Sequence, residues 1–323
     1  MMAEPGLAFG PVPSRRLGRS LGINNIPPKF CTYSCVYCQL GRTLQMWAER
    51  RIFHDPALIV QAVQRKIRQT EGEVIDFLTF VPDGEPTLDI QLGQAIEMLR
   101  PMGISIAVIT NASLIDRADV RADLSKADWV SLKIDAVTDA VWRRIDRPHG
   151  ALSLPAILDG ALAFASSFSG RLVTETMLVA GVNDDPAQLT AVAAFVARLK
   201  PHTAYLAIPT RPPAEAWVRP PEEDGINRAY QIFCAQIENT EHLIGYEGNA
   251  FAFTGDVVED LLNITAVHPM RQDAVSEFLG RAGADWSVVR MLVAQGRLVE
   301  NDYAGQKFYV RRLLRAPLDP PAE

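Results

Sequence analysis

Apolar positions along this chain fall in two rhythms, and their alternation sets the fold class. From Asp55 onward, Leu58, Ile59, Ala62, Val63 and Ile67 recur at helical spacing, with Asp55 placed to cap and Pro56 to open the first turn. Residues 74–81 form instead a short, nearly continuous apolar run, the pattern of a parallel strand buried on both faces. A helix over 90–100 and a strand over 104–109 follow. Further strands are predicted near 128–134, 171–179 and 203–208, with helices near 115–125, 153–168, 186–199 and 222–239. Together with a short strand at 20–23, six strands alternate with helices. That order predicts parallel βα units, arranged as an open doubly wound sheet or as a barrel. No G-x-G-x-x-G turn follows the first strand, which counts against a dinucleotide-binding fold.

The two ends of the chain break this rhythm. Residues 9–30 are dense in Gly and Pro and read as an irregular lead-in around one short strand. Residues 211–223 are Pro-rich and form a joint. Beyond it, helices near 255–263, 270–281 and 285–295 precede strands at 296–300 and 307–311, joined through Asp302-Tyr303-Ala304-Gly305. Three helices and a hairpin are the outline of a winged helix. The expected organisation is a barrel core over 1–215, a barrel-closing helix and connection over 216–254, and a small winged-helix-like domain over 255–323.

Nucleic-acid binding is one reading of that last unit. Its third helix, however, offers Val288, Val289, Leu292 and Val293 to a core and few polar readers beyond Arg290 and Gln295. A groove-reading helix needs side chains that reach base edges. Over 255–315, eight Lys/Arg cancel eight Asp/Glu, yet Arg297, Lys307, Arg311, Arg312 and Arg315 gather on the wing. That distribution suits phosphate contact or a protein-docking surface better than sequence-specific DNA reading.

Composition narrows the setting. In 323 residues, 48% are hydrophobic and 22% charged, ordinary for a soluble globular protein. No apolar run approaches the roughly eighteen residues of a membrane span, and the start lacks the charge and apolar pattern of a secretory signal. Four cysteines, three of them clustered, do not make a disulfide framework and place the protein in a reducing, cytoplasmic setting. The net charge of −6 gives no global case for nucleic-acid binding.

The candidate chemistry lies in Cys31-Thr32-Tyr33-Ser34-Cys35-Val36-Tyr37-Cys38. Thiolates are soft ligands suited to iron–sulfur clusters, zinc or copper(I). A structural zinc site wants a fourth protein ligand, and none stands nearby. Three cysteines on a four-iron cubane leave one iron open to bind a small molecule. Cys234, among Ile232, Phe233 and Ile237 in a predicted helix, reads as a buried bystander. Other charged residues fall at predicted strand ends. Lys133 and Asp135 would share one face of a strand otherwise built for burial, either as a mutual salt bridge or as a pair holding a ligand. Arg15, Arg16 and Arg19 are either a solvated patch or partners for an anion near the thiols. Asn111 and Asn183 suit turns or caps as well as ligand contacts.

The C-x3-C-x2-C spacing, with an aromatic before the last cysteine, resembles the cluster loop of the radical S-adenosylmethionine (radical SAM) superfamily. The F-G-P-V-P-S-R-R-L-G lead-in, S-L-G-I, G-E-P-T, T-N-A, S-L-K-x-D-A, G-V-N-D and x-P-x-R-P-P resemble one subgroup of it. That subgroup includes the wyosine-base tRNA synthases and many Fe–S oxidoreductases. The likeness spans roughly residues 9–215. It implies an α/β fold, a partial (β/α)6 TIM-like barrel with its site at the C-terminal strand ends.

The resemblance also implies a [4Fe–4S] cluster on Cys31, Cys35 and Cys38, with SAM on its open iron. The superfamily splits SAM with one electron into methionine and a 5′-deoxyadenosyl radical. Around SAM the resemblance places the Tyr37 backbone against the adenine and Gly84, Glu85 and Pro86 at the amino group. Asn111, Lys133, Asp135 and Asn183 complete the implied contacts. Implied partners are an electron donor such as flavodoxin or ferredoxin, and RNA or a partner protein at the C-terminal domain. Two departures stand out. Asp83 occupies a position where the family usually shows Gly, and residues 1–30 lack the cysteines that give the wyosine synthases a second cluster. The reading from another class is a non-catalytic zinc- or cluster-bearing regulator whose winged helix binds nucleic acid.

Overall fold

The computed structural model describes residues 6–70, 73–244 and 248–312. In chain order it opens with β1 (Ala8–Ser14), β2 (Gly18–Ile23), β3 (Phe30–Cys31), β4 (Gln45–Met46) and α1 (Pro56–Gln69). β5 (Phe77–Phe80), α2 (Leu92–Leu99), β6 (Ser105–Thr110), α3 (Ala118–Leu124), β7 (Trp129–Lys133), α4 (Asp139–Ile145) and α5 (Leu154–Ser167) follow. Then come β8 (Arg171–Met177), α6 (Pro186–Leu199), β9 (Thr203–Ala207), α7 (Glu223–Cys234) and β10 (Thr240–Leu243). The chain closes with α8 (Val257–Val267), β11 (Met270–Arg271), α9 (Gln272–Arg281), α10 (Ser287–Ala294), β12 (Leu298–Tyr303) and β13 (Gln306–Arg311).

One eight-stranded sheet runs in the order β1-β2-β5-β6-β7-β8-β9-β10, parallel from β2 to β10 and antiparallel between β1 and β2. It curls into a partial barrel whose strands are buried on both faces, which is why they read as continuous apolar runs. The main core lies between sheet and helices, with Leu78, Phe80, Ile106, Val108, Val130 and Leu132 at or near zero exposure. No helix of the described residues is long and apolar enough to cross a membrane.

Several elements differ from the sequence expectation. The lead-in contains a full strand, β1, despite Pro11 and Pro13; it lies at the sheet edge, where proline's missing N–H leaves no ladder bond unmade. Its Phe9 ring lies over Gly22, where a Cβ would come within 2.0 Å of it, so that position of the S-L-G-I strand takes only glycine. The strand expected over 74–81 shortens to Phe77–Phe80, because its pairing with β2 begins at Phe77, while Val74 is exposed. β10 and α4 were not expected: each is short, and β10 carries the polar Thr240, Glu241 and His242.

The C-terminal unit has the winged-helix order: helix, short strand, two helices, then a hairpin, with sheet order β11-β13-β12. The hairpin turns on Ala304 and Gly305, both at positive φ as a tight two-residue turn requires. Its own core gathers Phe251, Leu261, Phe278, Leu292, Leu298 and Tyr309. It is tied to the barrel through a buried ion pair, Lys66 Nζ to Asp260 Oδ1 at 2.7 Å, and through the Ala252 N–H donating to the Pro11 carbonyl at 3.1 Å. Of the expected wing cations, Lys307 is ion-paired with Glu300, and Arg315 lies outside the described residues.

Candidate active site

The site stands at the C-terminal ends of the parallel strands. A cavity of about 300 Å³ is lined by Cys31 at the end of β3, Cys35 and Cys38 in the loop after it, Gly84 and Glu85 after β5, and Asn111 after β6. Lys133, Glu175 and Met177 line it from the ends of β7 and β8, with Ile208 to Arg211 after β9. Sequence motifs spread over nearly 180 residues thus meet at one mouth.

The cysteine loop is braced by backbone. Ser34 N–H donates to the Asp146 carbonyl at 3.0 Å, Val36 N–H to the Ile145 carbonyl at 2.9 Å, and His149 N–H to the Thr32 carbonyl at 2.9 Å. The end of α4 and the segment after it are therefore the scaffold of the cysteine loop. Glu215 adds side-chain ties: its N–H reaches the Val36 carbonyl, and its carboxylate binds Arg42 at 2.9 Å and Arg147 at 2.5 Å. Those two guanidinium groups, Arg42 first, hold the carboxyl below its ordinary range.

Gly84 packs so closely on the preceding loop that a Cβ would lie 1.8 Å from the Phe30 carbonyl oxygen. Glu85 N–H donates to that same carbonyl at 3.1 Å. The Glu85 carboxylate, only 1% exposed, is spent on the protein. Oε1 accepts from Thr87 N–H, the Thr87 hydroxyl and the Thr110 hydroxyl, and Oε2 accepts from Asn111 N–H at 2.8 Å. Burial pushes its pKa up while these donors oppose the shift. The carboxylate thus clamps the G-E-P turn to the T-N turn, and Pro86 opens a buried 3-10 turn behind it. Asn111 does two things: its Oδ1 accepts from Ser113 N–H at 2.9 Å as an Asx turn, and its Nδ2 donates to Thr32 Oγ1 at 2.8 Å with Cys31 Sγ at 3.6 Å.

Lys133 does not pair with Asp135. Its ammonium binds Glu175 Oε1 at 2.6 Å, and Arg16 binds the other oxygen of Glu175. Burial disfavours the charged ammonium, but Glu175 and Asp135 outweigh it and hold its pKa above the usual range. Burial likewise opposes ionised Glu175, while Lys133 and Arg16 draw its pKa down to about 2. The ammonium also stands 4.9 Å from the Tyr37 ring centroid. Asp135 is buried at the hydroxyl end of that ring, accepting from the Tyr37 hydroxyl and from Met177 N–H at 2.7 Å. Asn183 turns its carboxamide into its own loop, to Val179 N–H, the Asp135 carbonyl and the Met177 carbonyl, and does not line the cavity.

Glu175 was not singled out from sequence, though a charge in a buried strand was the same signal that marked Lys133. Arg16 reaches the cavity, whereas Arg19 points away to an exposed pair with Glu73. Cys234 is exposed, not buried: α7 turns Ala229 and Phe233 inward, and the next residue faces out.

Three thiols around one cavity are the right donors for an iron–sulfur cluster. Among the described residues, no three His, Cys, Asp or Glu side chains close around a single metal ion. Burial pushes Cys31 up to about 12 and raises Cys35 well above its ordinary value. Beside them lies the Lys29 ammonium, buried and without a hydrogen-bond partner, with Cys38, Asp83 and Cys31 as its electrostatic neighbours. A buried cation facing sulfur fits a group that brings negative charge to those sulfurs.

A partial parallel barrel with a three-cysteine loop at its mouth defines a class of cluster-bearing barrel enzymes. The Radical SAM superfamily model matches residues 25–192, and the chain belongs to that superfamily. It is 46% identical over 309 residues to UPF0026 protein MJ1312 of Methanocaldococcus jannaschii, covering 95% of this chain and 96% of that one. Among solved structures it resembles TYW1 with a lysine–pyruvate adduct bound (TM-score 0.52, 17% identity, 68% of this chain and 74% of that chain). It also resembles a radical SAM methyltransferase from Sphaerobacter thermophilus (TM-score 0.50, 20% identity, 70% of this chain and 66% of that chain). The two structures agree with this fold. The protein is an enzyme of the radical SAM class, and its chemistry is SAM-dependent radical chemistry.

Proposed function

We propose that the chain holds one [4Fe–4S] cluster on Cys31, Cys35 and Cys38 and cleaves SAM reductively in the adjoining cavity. The observation that carries this reading is the meeting of all three thiols with Gly84, Glu85 and Asn111 on one cavity wall. When bound, the cluster supplies one electron to SAM, releasing methionine and a 5′-deoxyadenosyl radical that abstracts hydrogen from the substrate.

The residues bind, orient and exclude water, as a protein does for chemistry its cofactor carries. Glu85 acts through geometry: by clamping the Gly84–Pro86 and Thr110–Asn111 turns together it fixes the backbone that faces the SAM amino acid. Tyr37 is held by Asp135 at its hydroxyl and by Lys133 over its ring, so its backbone presents a fixed edge to the adenine. Lys133, Arg16 and Glu175 form a partly buried charged floor whose two cations share one carboxylate, suited to meeting a polar group of SAM or substrate. An external one-electron donor of the flavodoxin or ferredoxin type completes the reaction.

Anaerobic reconstitution tests the cluster. The reading requires about four irons per chain, a broad visible absorbance and an electron paramagnetic resonance signal of the reduced protein that changes when SAM is added. A protein that takes up a single zinc, or a signal indifferent to SAM, would leave the regulator reading standing.

A further inference from the structure

The inside of the barrel is layered. Leu17, in the turn between β1 and β2, packs with Ala107, Trp129, Val173 and Tyr205 in an apolar layer between the strands. Side chains two residues apart on a strand share a face. Lys133 therefore shares the face of Trp129, and Glu175 that of Val173, each further along its strand toward the mouth. The parallel register sets Lys133 directly beside Glu175. Arg16, next to Leu17 in the turn, reaches the same carboxylate, and Arg15 adds its charge to the field around it. An apolar layer thus underlies a charged one, which forms part of the lining of the cysteine cavity.

One carboxylate is answered by one cation, and here three act on it. Arg211 brings a fourth cation to the lining. The other lining carboxylate, Glu85, is held by Thr87, Thr110 and Asn111. Asp135 also acts on Lys133, but it lies outside the lining and accepts from the Tyr37 hydroxyl and Met177 N–H. Counting Asp135 with Glu175, the four cations still outnumber the carboxylates that face them. Positive charge withdrawn from water is costly unless an anion answers it. SAM does not supply that anion on balance. It carries a sulfonium and an ammonium against one carboxylate, a surplus that offsets the negative charge three thiolates leave on a four-iron core. Beside the charged residues the lining is apolar, with Ile109, Met177, Ala207 and Leu243. An anionic head on an apolar body fits this surface.

We infer that the substrate is a small molecule with one anionic group, a carboxylate or a phosphate, seated on Arg16 and Lys133 with its carbon frame against Ile109, Met177 and Leu243. The inference deepens the proposed reading of this cavity and rests on it; anion binding is measured first on iron-free protein, so that the two fail separately. The full chain is titrated by calorimetry at fixed ionic strength with propionate and with methyl phosphate, and with propionamide as an uncharged match. At least one of the two anions is expected to bind and propionamide is not, and the tighter anion names the group the substrate carries. Arg16→Gln should weaken that anion about tenfold. Glu175→Gln removes the internal competitor for the cations and should tighten it about tenfold, a gain that loss of folding cannot mimic. Arg198→Gln, in the cavity at the opposite end of the barrel, should leave the affinity unchanged. In reconstituted protein, SAM and the anion should bind together. Binding of neither anion, an unchanged or weaker affinity in Glu175→Gln, loss of binding in Arg198→Gln, or displacement of the anion by SAM would each overturn the inference.

Discussion

The two ends of the barrel each carry a cavity rich in basic residues, and they differ in what those residues do. At the end opposite the cysteines, a cavity of about 620 Å³ is lined by Arg171, Arg198, Lys200 and His202, with no carboxylate and no thiol. Arg198 and Lys200 stand where α6 ends, and basic side chains there complement the helix dipole without any ligand. At the mouth the cavity next to the cysteines is smaller, yet the partly buried Lys133 and Arg16 share the buried Glu175, and the buried Glu85 is fully satisfied. Buried charge is costly to arrange and is tolerated only when paired. The difference teaches that the arrangement of paired, buried charge, not cavity size, marks the working end.

Breaking the mouth should have the largest effect. Replacing any of Cys31, Cys35 or Cys38 by Ala should reduce bound iron from about four to near none, whereas Cys234→Ala, exposed on α7, should keep it. Iron analysis after reconstitution checks this, and near-full iron in Cys35→Ala contradicts it. Next is Glu85→Ala. It removes the acceptor of four internal donors, and a lost charge-assisted bond is worth roughly 1.5–3 kcal/mol of folding stability, so the two turns loosen and SAM affinity falls with them. Because the clamp is internal, Glu85→Ala should also lower the unfolding midpoint, and Glu85→Gln should recover part of both losses. An unchanged dissociation constant for SAM would show that the clamp does not shape the cofactor compartment.

A finer effect concerns Lys29. A cation beside the sulfurs favours the more negative, reduced cluster, so Lys29→Met should move the reduction potential to a more negative value while Lys29→Arg largely keeps it. A redox titration followed by electron paramagnetic resonance reads this, and an unmoved potential in Lys29→Met contradicts it. Smallest of all, Arg198→Ala at the opposite end should change stability by no more than about 0.5 kcal/mol and leave SAM binding untouched. A marked loss there would erase the contrast between the two ends.

Much of this was legible in the sequence, for identifiable reasons. Strands β5 to β9 are buried on both faces, so burial wrote itself into continuous apolar runs, and the cysteine spacing is local. β1 was hidden because its Gly and Pro signal irregularity unless the strand is known to be an edge. The roles of individual side chains were the least legible. Glu85 meets Thr110 and Asn111 across 25 and 26 residues, and Lys133 meets Glu175 across 42. Spacing in one chain does not reveal which strands become neighbours. Asp135 and Asn183 looked like cavity residues because they are polar at strand ends, but their bonds run to Tyr37 and to the loop after β8.

The most direct test of the central claim is product release from SAM. Reconstituted, reduced protein without substrate should slowly convert SAM to 5′-deoxyadenosine and methionine in equal amounts, and Cys35→Ala prepared alongside should release neither. A wild-type protein with a full complement of iron that leaves SAM intact, or a Cys35→Ala protein that still cleaves it, would contradict the account.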